Sequence, residues 1–337
     1  MPMKKLFVMQ ILILAMATFS LAAWAQSAPG YKVVKTWKLG GNGGWDYITV
    51  DSEGRRLFIA RSDRVMVVDE DSGKLLAVIP DTPGVHGVAL TPEFGRGFIS
   101  DGGEDMVTIF DLKSLKPLNK VKVGTRPDAI VYDPFTKRVF TFNARSHDTT
   151  AVDAAKGEVV GKIDLGGKPE FAASDEKGTM FVNIEDTSEL VVFDPQKLVV
   201  KSRWKMAGCE EPTGLALDKK NRRLFAGCGG NKKMAIVDAD SGKVIAMPDI
   251  GDGCDATAFD VDQKLAFASA GDGTITVIRE DSSDKFSLAE TVKTQDHART
   301  MALDPKTHEL FTVTAKVLPE RKVEPDTFVV LAIGKTH

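Results

Sequence analysis

Seven phenylalanines recur at nearly constant intervals along this chain: Phe58, Phe98, Phe140, Phe181, Phe225, Phe267 and Phe311. Their spacings are 40, 42, 41, 44, 42 and 44 residues. A second register runs with them, seven residues earlier (six before Phe181): Asp51, Thr91, Asp133, Asp175, Asp218, Asp260 and Asp304. Two registers in step from Asp51 to Phe311 mean one supersecondary unit used seven times. Such units must stack, because none can bury its apolar face alone.

The third unit shows what is repeated. Ala129–Tyr132, Val139–Phe142, Thr149–Val152 and Val159–Ile163 are short runs rich in β-branched and aromatic residues. They read as four strands, a to d, separated by turn chemistry such as Asp133-Pro134 and Gly157. Gly73 and Gly242 hold the place of Gly157 in their own units. Four strands in 40 to 45 residues, repeated seven times, predict an all-β fold, a seven-bladed β-propeller of four-stranded blades. The last unit ends after its third strand, near Phe328–Leu331, while Tyr31–Trp37 is a strand without a unit. We therefore expect the ring to be closed by the N-terminal strand of the mature chain, as the outer strand of blade 7.

The opening residues carry a different signal. Lys4 and Lys5 precede an uncharged stretch from Leu6 to Ala23, followed by Ala23-Trp24-Ala25. This pattern predicts a cleaved signal peptide over 1–25 and a single propeller domain over 26–337. The expected location is periplasmic or secreted, with no membrane span after removal of the signal. The composition is ordinary for a globular chain, 43% hydrophobic and 27% charged. Loss of the two lysines takes the formal charge from −3 to −5, and no Lys/Arg run is present. Nucleic acid is therefore not an expected partner. A monomer is expected.

Several segments resemble a known repeat. They are Val123-Gly124-Thr125-Arg126-Pro127-Asp128-Ala129, Asp133-Pro134, Phe140-Thr141-Phe142-Asn143 and the turns Val67–Lys74 and Ile236–Lys243. Together they are similar to the YVTN (YncE-like) β-propeller repeat over about residues 31–333, departing at blade 4, where no proline follows Asp175. The resemblance implies an exported propeller and says nothing of its chemistry.

Chemistry is expected where strands a begin. Five residues before the second register stand Asp46, His86, Asp128, Glu170, Thr213, Asp255 and Arg299, which should ring one mouth of the central channel. Trp45, Arg126, Lys168, Glu210, Glu211 and His297 lie in the same connectors, and Arg61, Asp101 and Asn143 arrive from the ends of strands b. We read Asp46, His86, Asp128, Glu170, Asp255, His297 and Arg299 as a ligand-binding mouth for an unidentified small molecule or protein. The function expected is that of a binding or interaction module. The alternative is a metal-dependent enzyme whose divalent cation sits at the mouth, with Asp46, His86, Glu170, Asp255 and His297 as ligands or acid–base groups. A water-filled channel with solvated, paired charges is the third possibility.

Cys209, Cys228 and Cys254 should converge on the same face; a Cys209–Cys228 disulfide, three free thiols and a soft-metal site are the readings open. The long b–c connection of blade 7, Ala315–Asp326, emerges there too and reads as a lid or partner-docking loop, its basic residues facing Asp46 and Asp255, or else as a mobile insertion. Asp69–Gly73 and Asp238–Gly242 superficially match a calcium loop but lack the closing glutamate and read as hairpin turns. Gly40–Gly44 has no helix to receive a phosphate. His147 and His308 are expected in solvent-facing loops.

Overall fold

The computed structural model describes residues 28–335; the expected signal peptide, 1–25, lies outside them. Six sheets are built of four consecutive antiparallel strands each, and the seventh is completed by the chain's first described strand. Blade 3 is representative, with strands Pro127–Asp133, Arg138–Asn143, Asp148–Asp153 and Glu158–Asp164. In each blade strand a packs against strand a of the next, and blade 7 meets blade 1 in the same way, so the strands a surround the axis. The chain is a seven-bladed β-propeller.

The phenylalanine register is the core of this arrangement. All seven rings are completely buried, each contributing about 1.5–3 kcal/mol by leaving water. Strand pleating explains the position: alternate residues of strand b face opposite neighbours, and a large ring there fills the gap between two twisted sheets.

Closure follows the expected route. Tyr31–Lys38 pairs antiparallel with Val329–Lys335, as the fourth strand of blade 7. Packing shows that it replaces a strand d. Trp204 of the outer strand of blade 4 lies on Gly242 in the c–d turn of blade 5, where any Cβ would meet the indole. Trp37 lies in the same way on Gly73, in the c–d turn of blade 1. Gly73 and Gly242 have φ of +72° and +74°, so glycine serves both the turn and the close approach. Asp69 and Asp238 accept bonds from Ser72 and Ser241 within these turns.

On the face carrying the a–b turns, the aspartate register acts twice. Asp133 accepts from the backbone and hydroxyl of Thr136 and from Ser174 Oγ of blade 4. Asp175 accepts from Lys177 and Thr179 and pairs with Arg222 of blade 5 at 3.1 Å. Asp260 receives two backbone bonds and meets His308 Nδ1 of blade 7 at 2.7 Å. Asp304 of blade 7 bonds Lys306 and Thr307 and pairs with Arg55 of blade 1 at 2.8 Å. Each of these four aspartates thus holds its own turn and ties its blade to the next. His308 is half-buried in such a contact, which corrects the expectation of a solvent-facing loop.

The sequence reading missed the partner register. Three residues before each phenylalanine stand Arg55, Gly95, Lys137, Gly178, Arg222, Lys264 and His308, every one with positive φ. The turn demands a left-handed residue there. Arg55, Arg222 and His308 accept that strain and use their side chains to reach back to the preceding blade.

Candidate functional site at the channel mouth

A backbone irregularity directs the ring residues inward. In blades 2 to 6 the pairing of strands a and b slips at Val85/Val88, Pro127/Ile130, Pro169/Ala172, Pro212/Leu215 and Cys254/Ala256. Within those slips lie His86, Asp128, Glu170, Thr213 and Asp255. A β-bulge bends the strand and re-aims one side chain, here toward the axis. The backbone is then pinned by the neighbouring blade: Ser100 Oγ donates to Asp128 O at 2.6 Å, Asn183 Nδ2 to Thr213 O at 2.8 Å and Thr300 Oγ1 to Asp46 O at 3.0 Å.

The result is a cavity of about 740 Å³ lined by all seven predicted binding residues, Asp46, His86, Asp128, Glu170, Asp255, His297 and Arg299, with Thr213, Arg126, Lys168, Glu185 and Glu211. Its floor is aromatic. Tyr47 of blade 1 meets Phe171 of blade 4 edge to face, ring centroids 4.5 Å apart. Blades 1 and 4 are not neighbours in the ring, so this contact crosses the axis and obstructs the channel. The mouth is a pocket floored by this contact.

Charges inside it are arranged in three groups. His86 Nδ1 lies 2.6 Å from Asp46 Oδ2 and 3.6 Å from Asp128 Oδ1. Arg299 Nε holds Asp255 Oδ2 at 2.7 Å. Lys168 pairs with Glu170 at 2.8 Å and also with Glu185. Burial pushes the carboxyls of Asp46, Asp128 and Asp255 above the ordinary range, only partly offset by His86 and Arg299. Glu170 is raised to about 8 by burial and by the charge of Asp128. For His86 burial opposes the charged form, but the Asp46 and Asp128 carboxylates outweigh it and hold the imidazole above its usual value. Six carboxylates therefore face three permanent cations and two imidazoles, those of His86 and His297, within one pocket.

The ligating atoms of Asp46, His86 and Asp128 lie within 4.8 Å of one another, a nitrogen–oxygen set of the kind that takes a divalent cation. His297 is not part of that set, which corrects the expectation of a site built on both histidines; it is exposed, on the rim. Asp260, Asp262 and His308 make a similar group on the opposite face.

Two further expectations change, and the first of the cysteine readings is borne out. Arg61, Asp101 and Asn143 are completely buried and do not line the mouth. Arg61 stacks on Phe328, 3.7 Å from the ring centroid, and Asn143 bonds Asp148 and Thr150. Strand b continues into the b–c hairpin, and that carries these side chains between blades. Cys209 and Cys228 form a disulfide, and Cys254 is a buried free thiol; burial raises its pKa, so it is unreactive packing. The blade-7 connection is a small hairpin, Val317–Leu318 paired with Lys322–Val323. Lys316 and Lys322 bind Glu324 and Glu320 within it rather than facing Asp46 and Asp255.

No protein-family model matches the chain, and no curated protein matches it. Solved structures do. The structure of U3-55K aligns with a TM-score of 0.74 at 11% identity, over 90% of this chain and 99% of that one. The WD40 repeats of RRP9 align at 0.75 and 10% identity, over 91% and 99%. A chain of the mitotic checkpoint complex aligns at 0.76 and 12% identity, over 98% and 99%. At such identities the likeness is one of fold. Among the described residues no helix is long and apolar enough to cross a membrane.

Proposed function

We propose that this protein is an exported YVTN-like propeller that captures a positively charged small molecule at its channel mouth. The observation that carries the reading is the desolvated carboxylate ring. Asp46, Asp128, Glu170 and Asp255 sit in one walled pocket whose burial disfavours their charge. A cation entering that pocket relieves the repulsion, whereas an anion adds to it. The Lys4–Ala25 pattern and the Cys209–Cys228 disulfide support export, since disulfides persist in oxidising compartments.

Calorimetric titration with ethanolammonium tests the reading. The ring carboxyls have raised pKa values and gain charge as pH rises, while His86 loses its proton; both changes make the pocket more negative. Affinity for the cation should therefore increase about tenfold between pH 5.5 and 8, and Glu170→Gln, which removes a carboxyl raised to about 8, should lessen the increase. A flat profile, or a preference for anions, rejects it. A second reading is favoured by the Asp46–His86–Asp128 set: stoichiometric divalent metal, found by elemental measurement on the exported protein, makes the captured cation a metal ion and the enzyme alternative the better one.

A further inference from the structure

Beside the mouth lies a second cavity, of about 460 Å³, with a different character. Its apolar walls are Trp45, Val317 and Val323, with Gly44 between them. Val317 and Val323 are directly opposed across the blade-7 hairpin, so their side chains share one face. Trp45 leans on the buried ring of Phe328, centroids 6.1 Å apart, so this wall is braced from behind.

The hairpin is held in place without help from a ligand. Asp326 Oδ1 accepts the Gly41 N–H at 3.0 Å, and the Asp326 N–H donates to Gly41 O at 3.2 Å. Its lysines are neutralised by its own glutamates, as described above. The residues it places against the cavity are the apolar Val317 and Val323. Such a wall open to solvent is where an apolar group gains by leaving water.

The two cavities adjoin. Arg299 and His297 line both. Trp45 and Asp46 are consecutive, one lining the apolar cavity and the other the acidic one, so head and tail sites are only a few ångström apart. Arg299, between them, is already drawn to Asp255. Building on the cation reading above, we infer that the captured molecule is an amphipathic organic ammonium. Its charged head enters the carboxylate ring, and its aliphatic or aromatic tail lies between Trp45 and the valine pair of the hairpin.

The experiment compares 2-phenylethylammonium with ethanolammonium on the intact protein by calorimetry, with 3-phenylpropionate as the anionic counterpart. The phenyl compound should bind at least tenfold more tightly, with a negative heat-capacity change from apolar burial. The V317S/V323S double variant should reduce that advantage to about twofold. The substitutions sit on a surface hairpin, and an unchanged melting temperature shows that folding is not the cause. Equal affinities of the two ammonium ions overturn the inference and leave the cation reading standing. Tighter binding of 3-phenylpropionate than of 2-phenylethylammonium overturns both on charge. Failure of both ammonium ions to bind rejects the cation reading, and this inference with it.

Discussion

The two faces of the ring use aspartate in opposite ways. On the turn face each register aspartate is surrounded by donors, and Asp304 shows the consequence. Its carboxyl is held well below the usual range, because hydrogen bonds from Ser52 of blade 1, from its own turn and from Glu70 outweigh the cost of burial. Glu70, completely buried beside it, is raised to about 8 by burial and by Asp304. Arg55 completes the contact by bridging both carboxyls at 2.8 Å. At the mouth, by contrast, Asp46, Asp128 and Asp255 have raised pKa values, because burial outweighs the cations that reach them. One face uses carboxylates to hold the blades together. The other holds them in a poorly solvated pocket, a cost that makes sense for a site meant to be filled by something else.

The contrast depends on a closed ring, and opening it gives the largest effect. Deleting residues 28–38 removes the outer strand of blade 7, exposes the edge of Val329–Lys335 and strips Trp37 from Gly73. The loss should be about 5 kcal/mol or more in urea unfolding. An unchanged midpoint disproves the closure.

Asp304→Ala tests the turn face alone. It leaves Arg55 and the buried Glu70 without the carboxylate that joins blades 7 and 1, and should cost about 3 kcal/mol. The sign with pH follows from the shift: a depressed carboxyl stabilises the fold above its unfolded pKa. The deficit should therefore shrink as pH falls below about 4. A deficit that is constant from pH 7 to 3 assigns the effect to packing and removes half of the contrast.

Asp128→Asn is the counterpart at the mouth and should barely change stability, by less than about 1 kcal/mol in either direction. It removes a charge that burial penalises, and with it one partner of His86. Ethanolammonium affinity should nevertheless drop about tenfold, read by the same calorimetry. If this variant unfolds as readily as Asp304→Ala, the mouth aspartates are structural and the two faces do not differ.

Much of this was legible in one dimension. The phenylalanine and aspartate registers gave the blade number, the strand order and the closing strand, because a propeller repeats its sterics every blade and each copy leaves the same residue behind. The seven mouth residues could be named for the same reason: they share one offset from the register. The left-handed register of Arg55, Arg222 and His308 was equally present in the spacing, three residues before each phenylalanine, but residue identity there varies among Arg, Lys, Gly and His. Only backbone geometry unites them.

What periodicity cannot carry is any contact between dissimilar blades. Sequence order determined which blades are neighbours, and hence that Asp46, His86 and Asp128 follow one another around the ring. The Tyr47–Phe171 plug joins blades 1 and 4, which no local pattern links, and it turns an expected channel into a pocket with a floor. The bulges that aim the ring inward are slips in pairing, invisible until two strands are laid side by side. The raised pKa values arise in the same way, since burial belongs to the assembled cavity and to no residue in it. The chain alone thus determined the ring, because its units interact with their nearest neighbours through repeated residues. Only the folded ring decided the site, because the chemistry of a propeller's centre depends on what seven different copies place around one axis.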